Sequence, residues 1–169
     1  MGVVSGVLYI VASAAPPVQR ISALVAAAQT RGWDACLILT PSASGWLADD
    51  LAGLVALTGH PVRSSYKMPG EPDVLPPADA MLVVPATFST INKWAAGISD
   101  TLALGLINEA IGMSIPIVAV PYVNAPLARH PALAASLARL RGAGVTVLAL
   151  SPRPEPDAFP WEQVLNALG

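Results

Sequence analysis

At 169 residues, with 54% apolar and only 12% charged side chains, the chain is long enough for one hydrophobic core and too apolar to be intrinsically disordered. Nine basic and eleven acidic residues leave a net charge of −2, so there is no general basic field to condense onto a nucleic-acid backbone. One cysteine, Cys36, and two histidines exclude an intramolecular disulfide and fall short of a Cys/His zinc site.

Isolated soluble domains rarely expose large apolar patches, so a chain this poor in charge is expected to cover part of its surface with further copies of itself. A cytoplasmic homo-oligomer built from one domain over 1–169 is the expectation. The first nineteen residues carry no charge and Ala12-Ser13-Ala14 resembles a small-residue cleavage site. A basic n-region is lacking, however, and Val7 to Val11 reads as a buried first strand. The apolar stretch Thr101 to Pro121 contains Gly105, Glu109, Gly112 and Pro116 and does not read as a membrane span.

After the first strand, Pro16-Pro17 opens a helix marked by Val18, Ile21, Leu24, Val25 and Ala28 and stopped at Arg31-Gly32. Cys36 to Leu39 is a second strand ending in Thr40-Pro41-Ser42, and Trp46, Leu47, Leu51, Leu54 and Val55 mark a helix closing at Gly59. Pro61 to Ser64 reads as a short third strand. The proline-rich segment Lys67 to Pro77 can only be a loop. Met81 to Val84 is a continuous apolar strand, followed by helix from Ile91 to about Ile111 with a break near Gly97 to Asp100. A fifth strand spans Ile115 to Val120, a helix begins at Pro131, a sixth strand runs from Val145 to Leu150, and a terminal helix covers Trp161 to Leu168.

Strands apolar on both faces that alternate with helices predict an α/β fold: three layers, doubly wound, with a mainly parallel six-stranded sheet. Ligands of such sheets lie beyond the carboxyl ends of the strands. The turns there carry Ser13, then Thr40, Ser42 and Ser44, then Thr87, Ser89 and Thr90. No G-x-G-x-x-G follows the first strand and no P-loop sequence is present. The hydroxyls can cap helices or, with a helix dipole, hold a phosphate monoester; both readings stand at this point.

The segment Ala78-Asp79, the apolar run to Val84, Pro85-Ala86-Thr87-Phe88-Ser89-Thr90, Lys93, Ala95, Gly97 and Asp100-Thr101-Leu102 resembles the W-A-D, strand, P-A-S-A-N-T-x-x-K-x-A-x-G-x-x-D-N-L signature of the flavin-containing cysteine decarboxylases. That group includes phosphopantothenoylcysteine decarboxylase and the lantibiotic decarboxylases. Leu37 to Ala43 is similar to its strand plus T-P-[SA]-A, and Pro121-Tyr122-Val123-Asn124 to its P-x-M-N loop. The resemblance implies a Rossmann-like flavoprotein fold and FMN at the interface of a homo-oligomer, a trimer or a multiple of trimers. It places Ser13 and Thr40 at the phosphate, with Ser42 as a further candidate. Ala86, Thr87, Ser89 and Thr90 fall on the ring or ribityl side, and Asn124 on the carboxylate of a small-molecule substrate.

In that family the flavin oxidises a cysteinyl thiol to a thioaldehyde that loses its carboxylate, aided by a histidine and the asparagine of P-A-S-A-N-T. The histidine position falls on Glu71 and the asparagine position on Ser89. Both expected side chains are missing, so catalytic residues are left unassigned, with Glu71 and His130 as the weak candidates. Divergent redox or decarboxylation-linked chemistry, a non-catalytic flavin carrier, sensor or regulatory subunit, and a flavin-free nucleotide-binding domain are the three functions left open. Lys93 matches the family lysine but reads as an exposed helix position.

Overall fold

In the computed structural model, residues 6–169 are described; the first five, at the start of the 1–169 unit and where a signal n-region would stand, lie outside them. Five strands form one parallel sheet in the order β2-β1-β3-β4-β5: β1 Gly6–Ala12, β2 Trp33–Leu39, β3 Ala80–Ala86, β4 Ile117–Pro121 and β5 Thr146–Val147. Leu8 aligns with Ala35 on one side and Ala80 on the other, and Ala12 with Leu39.

Side chains alternate across a strand, so this register sorts the apolar residues into two cores. Leu8, Ile10, Leu37, Leu39, Leu82 and Val120 face α1 (Ile21–Thr30) and α8 (Trp161–Asn166), where Leu24, Val25, Val164 and Leu165 are buried. Val11, Ile38, Met81, Val83 and Ala119 face α4 (Phe88–Ala95), α5 (Leu102–Gly112) and α7 (Pro131–Gly142), meeting Ile91, Trp94, Ile107 and Leu140. Helices on both faces explain why the strands read as unbroken apolar runs.

The sheet has five strands where six were expected. Of Pro61 to Ser64 only Arg63 pairs, bridging to Ile38: Leu39 N–H donates to its carbonyl at 2.8 Å and its own N–H reaches Leu37 O at 3.3 Å. Pro61 has no N–H to extend the ladder. The last strand also shrinks, to Thr146–Val147, because the chain turns away ahead of Pro152 and Pro154.

Helices differ from expectation mostly at their starts. A 3-10 turn, Pro16–Arg20, precedes α1, and the helix expected around Trp46 is α2 (Pro41–Trp46), a 3-10 turn holding Asp49 and Asp50, and α3 (Leu51–Thr58). Gly59, at φ +72, closes α3 in the left-handed region that glycine reaches without strain. The expected break separates α4 from α5, and Lys67 to Pro77 holds neither helix nor strand.

Candidate functional site

The sheet order reverses at β1, which has β2 on one side and β3 on the other, so the crevice beyond its carboxyl end is the topological switch point. Three turns meet there. Ser13, just after β1, donates its N–H to Pro85 O at 3.0 Å, and Thr40, just after β2, donates its N–H to Ala12 O at 3.0 Å. Thr87 follows β3 and caps α4, its Oγ1 accepting from Thr90 N–H at 3.3 Å. Thr40 caps α2 through Ala43 N–H at 3.2 Å, and Thr101 caps α5 through Leu104 N–H at 3.2 Å.

These turns enclose a cleft of about 390 Å³. Ser13, Thr40, Ser42, Thr87, Ser89 and Thr90 all line it, together with Lys93, Thr101 and Leu104. Each cap satisfies a helix N–H through the oxygen and leaves the hydroxyl hydrogen for another acceptor.

Beneath the cleft floor Ser13 and Thr90 are nearly fully buried, 2% and 7% exposed. Ser13 Oγ donates to Thr90 Oγ1 at 2.9 Å and Thr87 Oγ1 donates to the same oxygen at 3.1 Å. Three hydroxyls carry three protons, and their two mutual contacts use two of them whichever way each points. Among the described residues no carbonyl accepts from any of the three. One proton is therefore left for an acceptor in the cleft, so the cluster suits a ligand that brings an acceptor oxygen there.

Lys93 is the one charged side chain among the described lining residues; its Nζ lies 3.0 Å from Asp100 Oδ2. Lys93, which matches the family lysine but reads in the sequence as an exposed helix position, and Thr101 both join the lining without having been assigned to a site. Ser89, Thr90 and Lys93 stand four and three residues apart on α4, a spacing that puts them on one face and was the available signal.

The other candidates lie apart from the cleft lining. Ala86 is fully buried in the core beneath α4. Glu71 stands on the exposed loop, with its N–H on Met68 O. Asn124 caps the short helix α6 (Ala125–Ala128), Oδ1 accepting from Leu127 N–H at 3.0 Å. His130 caps α7, Nδ1 accepting from Ala132 N–H at 3.0 Å, and its ring meets Phe88 edge-on at 5.5 Å between centroids. Asn124 and His130 thus do the work of helix caps, while Phe88 brings His130 up to the start of α4.

A second cavity, of about 370 Å³, lies on the far flank of α5 and is lined by Tyr9, Tyr66, Lys67, Asp73 and Glu109 over an apolar wall. Tyr9 donates its hydroxyl to Pro76 O at 2.6 Å, and burial, with smaller contributions from Cys36 and Asp73, pushes its phenol up to about 12. The Lys67 ammonium, hydrogen-bonded to Asp73, holds that carboxyl below its ordinary value. Cys36 is buried in β2, and burial, aided by the nearby Asp34, moves its thiol up to about 12.

The Flavoprotein family model matches residues 71–166, more than half of the chain. The chain belongs to the Flavoprotein family. In this flavoprotein the matched residues run from the loop before β3 to the last helix and include the Thr87 to Thr101 wall of the cleft, while Ser13, Thr40 and Ser42 precede them.

Solved structures agree on the fold. MrsD from Bacillus sp. is 16% identical over 98% of this chain and 95% of its own, with a TM-score of 0.77. The peptidyl-cysteine decarboxylase EpiD is 23% identical over 96% and 98%, with a TM-score of 0.71. Phenylacrylic acid decarboxylase from Aquifex aeolicus is 17% identical over 95% of each chain, with a TM-score of 0.74. No curated protein matches the flavoprotein's sequence. Membership of the family supports a flavin cofactor, and the cleft at the switch point, rich in donors and carrying one cation, suits the phosphate end of such a group.

Proposed function

We propose that this protein binds FMN with the phosphate in the hydroxyl cleft, and that it acts on a small acid by divergent redox or decarboxylation-linked chemistry. The observation that carries the reading is the convergence of Ser13, Thr40, Ser42, Thr87, Ser89 and Thr90, from three separate turns, on one cleft with a hydroxyl proton to spare. A phosphate monoester offers acceptor oxygens to this proton and to the hydroxyl hydrogens of the Thr40 and Thr101 caps. The N-terminus of α4 adds a positive dipole end.

When bound, FMN supplies a two-electron acceptor. The chain's own residues bind and orient. Asn124 uses Oδ1 on the α6 cap, which leaves its amide hydrogens to donate to a substrate carboxylate. Tyr66, Val74 and Met113 expose apolar side chains around the second cavity, and Trp46 is half exposed at the end of α2. These surfaces support a homo-oligomer, a trimer or multiple of trimers, whose adjoining protomer covers the flavin ring. A cytoplasmic location is part of the same reading; among the described residues no helix is long and apolar enough to cross a membrane.

A second reading, a flavin-binding carrier, sensor or regulatory subunit without catalysis, is favoured by Glu71 and Ser89. They stand at the family's histidine and asparagine positions, and Glu71 does not join the cleft lining. The visible spectrum of the purified protein, with mass identification of any released chromophore, tests flavin binding. FMN is the expected result; colourless protein that cannot be reconstituted with FMN contradicts it. Anaerobic incubation with cysteine-terminated peptides or phosphopantothenoylcysteine should release no carbon dioxide, and release would restore the ordinary decarboxylase activity.

A further inference from the structure

We infer that Lys93 is the residue by which the cleft distinguishes a phosphorylated flavin from riboflavin, an inference that rests on the flavin reading above. Apart from Lys93, the polar side chains described as lining the cleft are neutral hydroxyls. Hydroxyls satisfy the lone pairs of a ligand oxygen whether it is charged or not, so the Ser13, Thr87 and Thr90 cluster serves the terminal alcohol of riboflavin and the phosphate of FMN alike. Neutralising a phosphate in a partly closed cleft calls for a cation, because the charge is drawn out of water as it enters. Lys93 can supply it: it lies one helical turn beyond Ser89 and Thr90 on the same face of α4.

Asp100 holds the ammonium in waiting. Lys93 Nζ and Asp100 Oδ2 are 3.0 Å apart, with side chains 44% and 53% exposed, and Asp100 directly precedes the Thr101 cap that also lines the cleft. Exposed pairs of this kind contribute little to stability, so Lys93 can exchange the carboxylate for a phosphate at small cost. Asp100 then competes with the ligand for Lys93. That sets this arrangement apart from a merely structural ion pair, whose two partners would respond alike when either is removed.

Equilibrium titration of the full chain with FMN and with riboflavin, for wild type, Lys93→Met and Asp100→Asn, reads this directly. Loss of a charge-assisted contact should weaken FMN binding by Lys93→Met about tenfold or more while riboflavin changes by less than about twofold. Asp100→Asn should leave FMN affinity equal or higher. Raising the salt concentration should weaken FMN binding to wild type more than to Lys93→Met. Wild type that binds FMN, with Lys93→Met weakening both flavins equally or neither, overturns the role of Lys93 and leaves the flavin reading intact. So does Asp100→Asn losing FMN as Lys93→Met does. Wild type that binds neither flavin overturns both.

Discussion

Ser13 and Thr90 share a buried hydrogen bond of 2.9 Å between the turn after β1 and the first helical turn after β3, joining residues 77 apart in the chain at the switch point of the sheet. Thr90 Oγ1 is the hub, since Thr87 donates to it as well. Thr90→Val keeps the shape but leaves two hydroxyls without their shared acceptor. Stability should fall by about 1–3 kcal/mol, the cost of unsatisfied buried polar groups, with FMN affinity falling alongside. Thr90→Ser should restore both. Denaturant melts with and without FMN check this, and a Thr90→Val protein with unchanged stability and affinity would remove the hub from the account.

Thr40 is placed both to cap α2 and to face the cleft. Thr40→Val should cost about 1 kcal/mol of stability through the lost cap, and should weaken FMN binding. Thr40→Ser should behave as wild type. Undiminished FMN affinity in Thr40→Val would take Thr40 out of the phosphate site.

These turns were legible in the sequence because hydroxyls after apolar strands stand out, and the family resemblance named the same residues. The sheet's interior was legible for the same reason, since β1, β3 and β4 are apolar on both faces. Its edges were not. Arg63 makes one bridge where a strand was expected, because pairing at an edge depends on what the proline-bounded chain can reach and not on the apolarity of Pro61 to Ser64. Lys93 read as an exposed helix position for a related reason: the sequence does not show that Thr101, from the next helix, lines the same cleft.

Alkaline pH should destabilise the fold. The Tyr9 phenol and the Cys36 thiol both have folded values raised to about 12 above ordinary values of 10.0 and 9.0. The unfolded chain therefore loses these protons first, and the stability they contribute is full below pH about 9 and is lost as pH rises toward 12. Melting temperature should fall across that window, less steeply in a Tyr9→Phe, Cys36→Ala double variant. A double variant that tracks wild type would assign the loss to other groups.

Cys36 should also resist thiol reagents in the native protein at mildly alkaline pH and react fully in denaturant, because a buried thiol of raised pKa presents almost no thiolate. Rapid native labelling would show that β2 opens.

Gly105 lies beneath Tyr66: a Cβ there would clash with the Tyr66 hydroxyl, which donates to Ser99 O at 2.9 Å. Gly105→Ala should displace the ring and break that bond. In a Tyr66→Ala background the same change should stabilise α5 by up to about 1 kcal/mol, the usual difference between alanine and glycine in a helix. A double-mutant cycle read by denaturant melts measures the coupling, and simple additivity would show that Tyr66 does not rest on Gly105.

A crystal structure of the protein grown with excess FMN tests the central claim most directly. The account predicts phosphate oxygens within hydrogen-bond distance of the Ser13, Thr40 and Thr90 turns, with Lys93 turned from Asp100 toward them. Density for FMN elsewhere, or a cleft closed by its own side chains at saturating ligand, would contradict it.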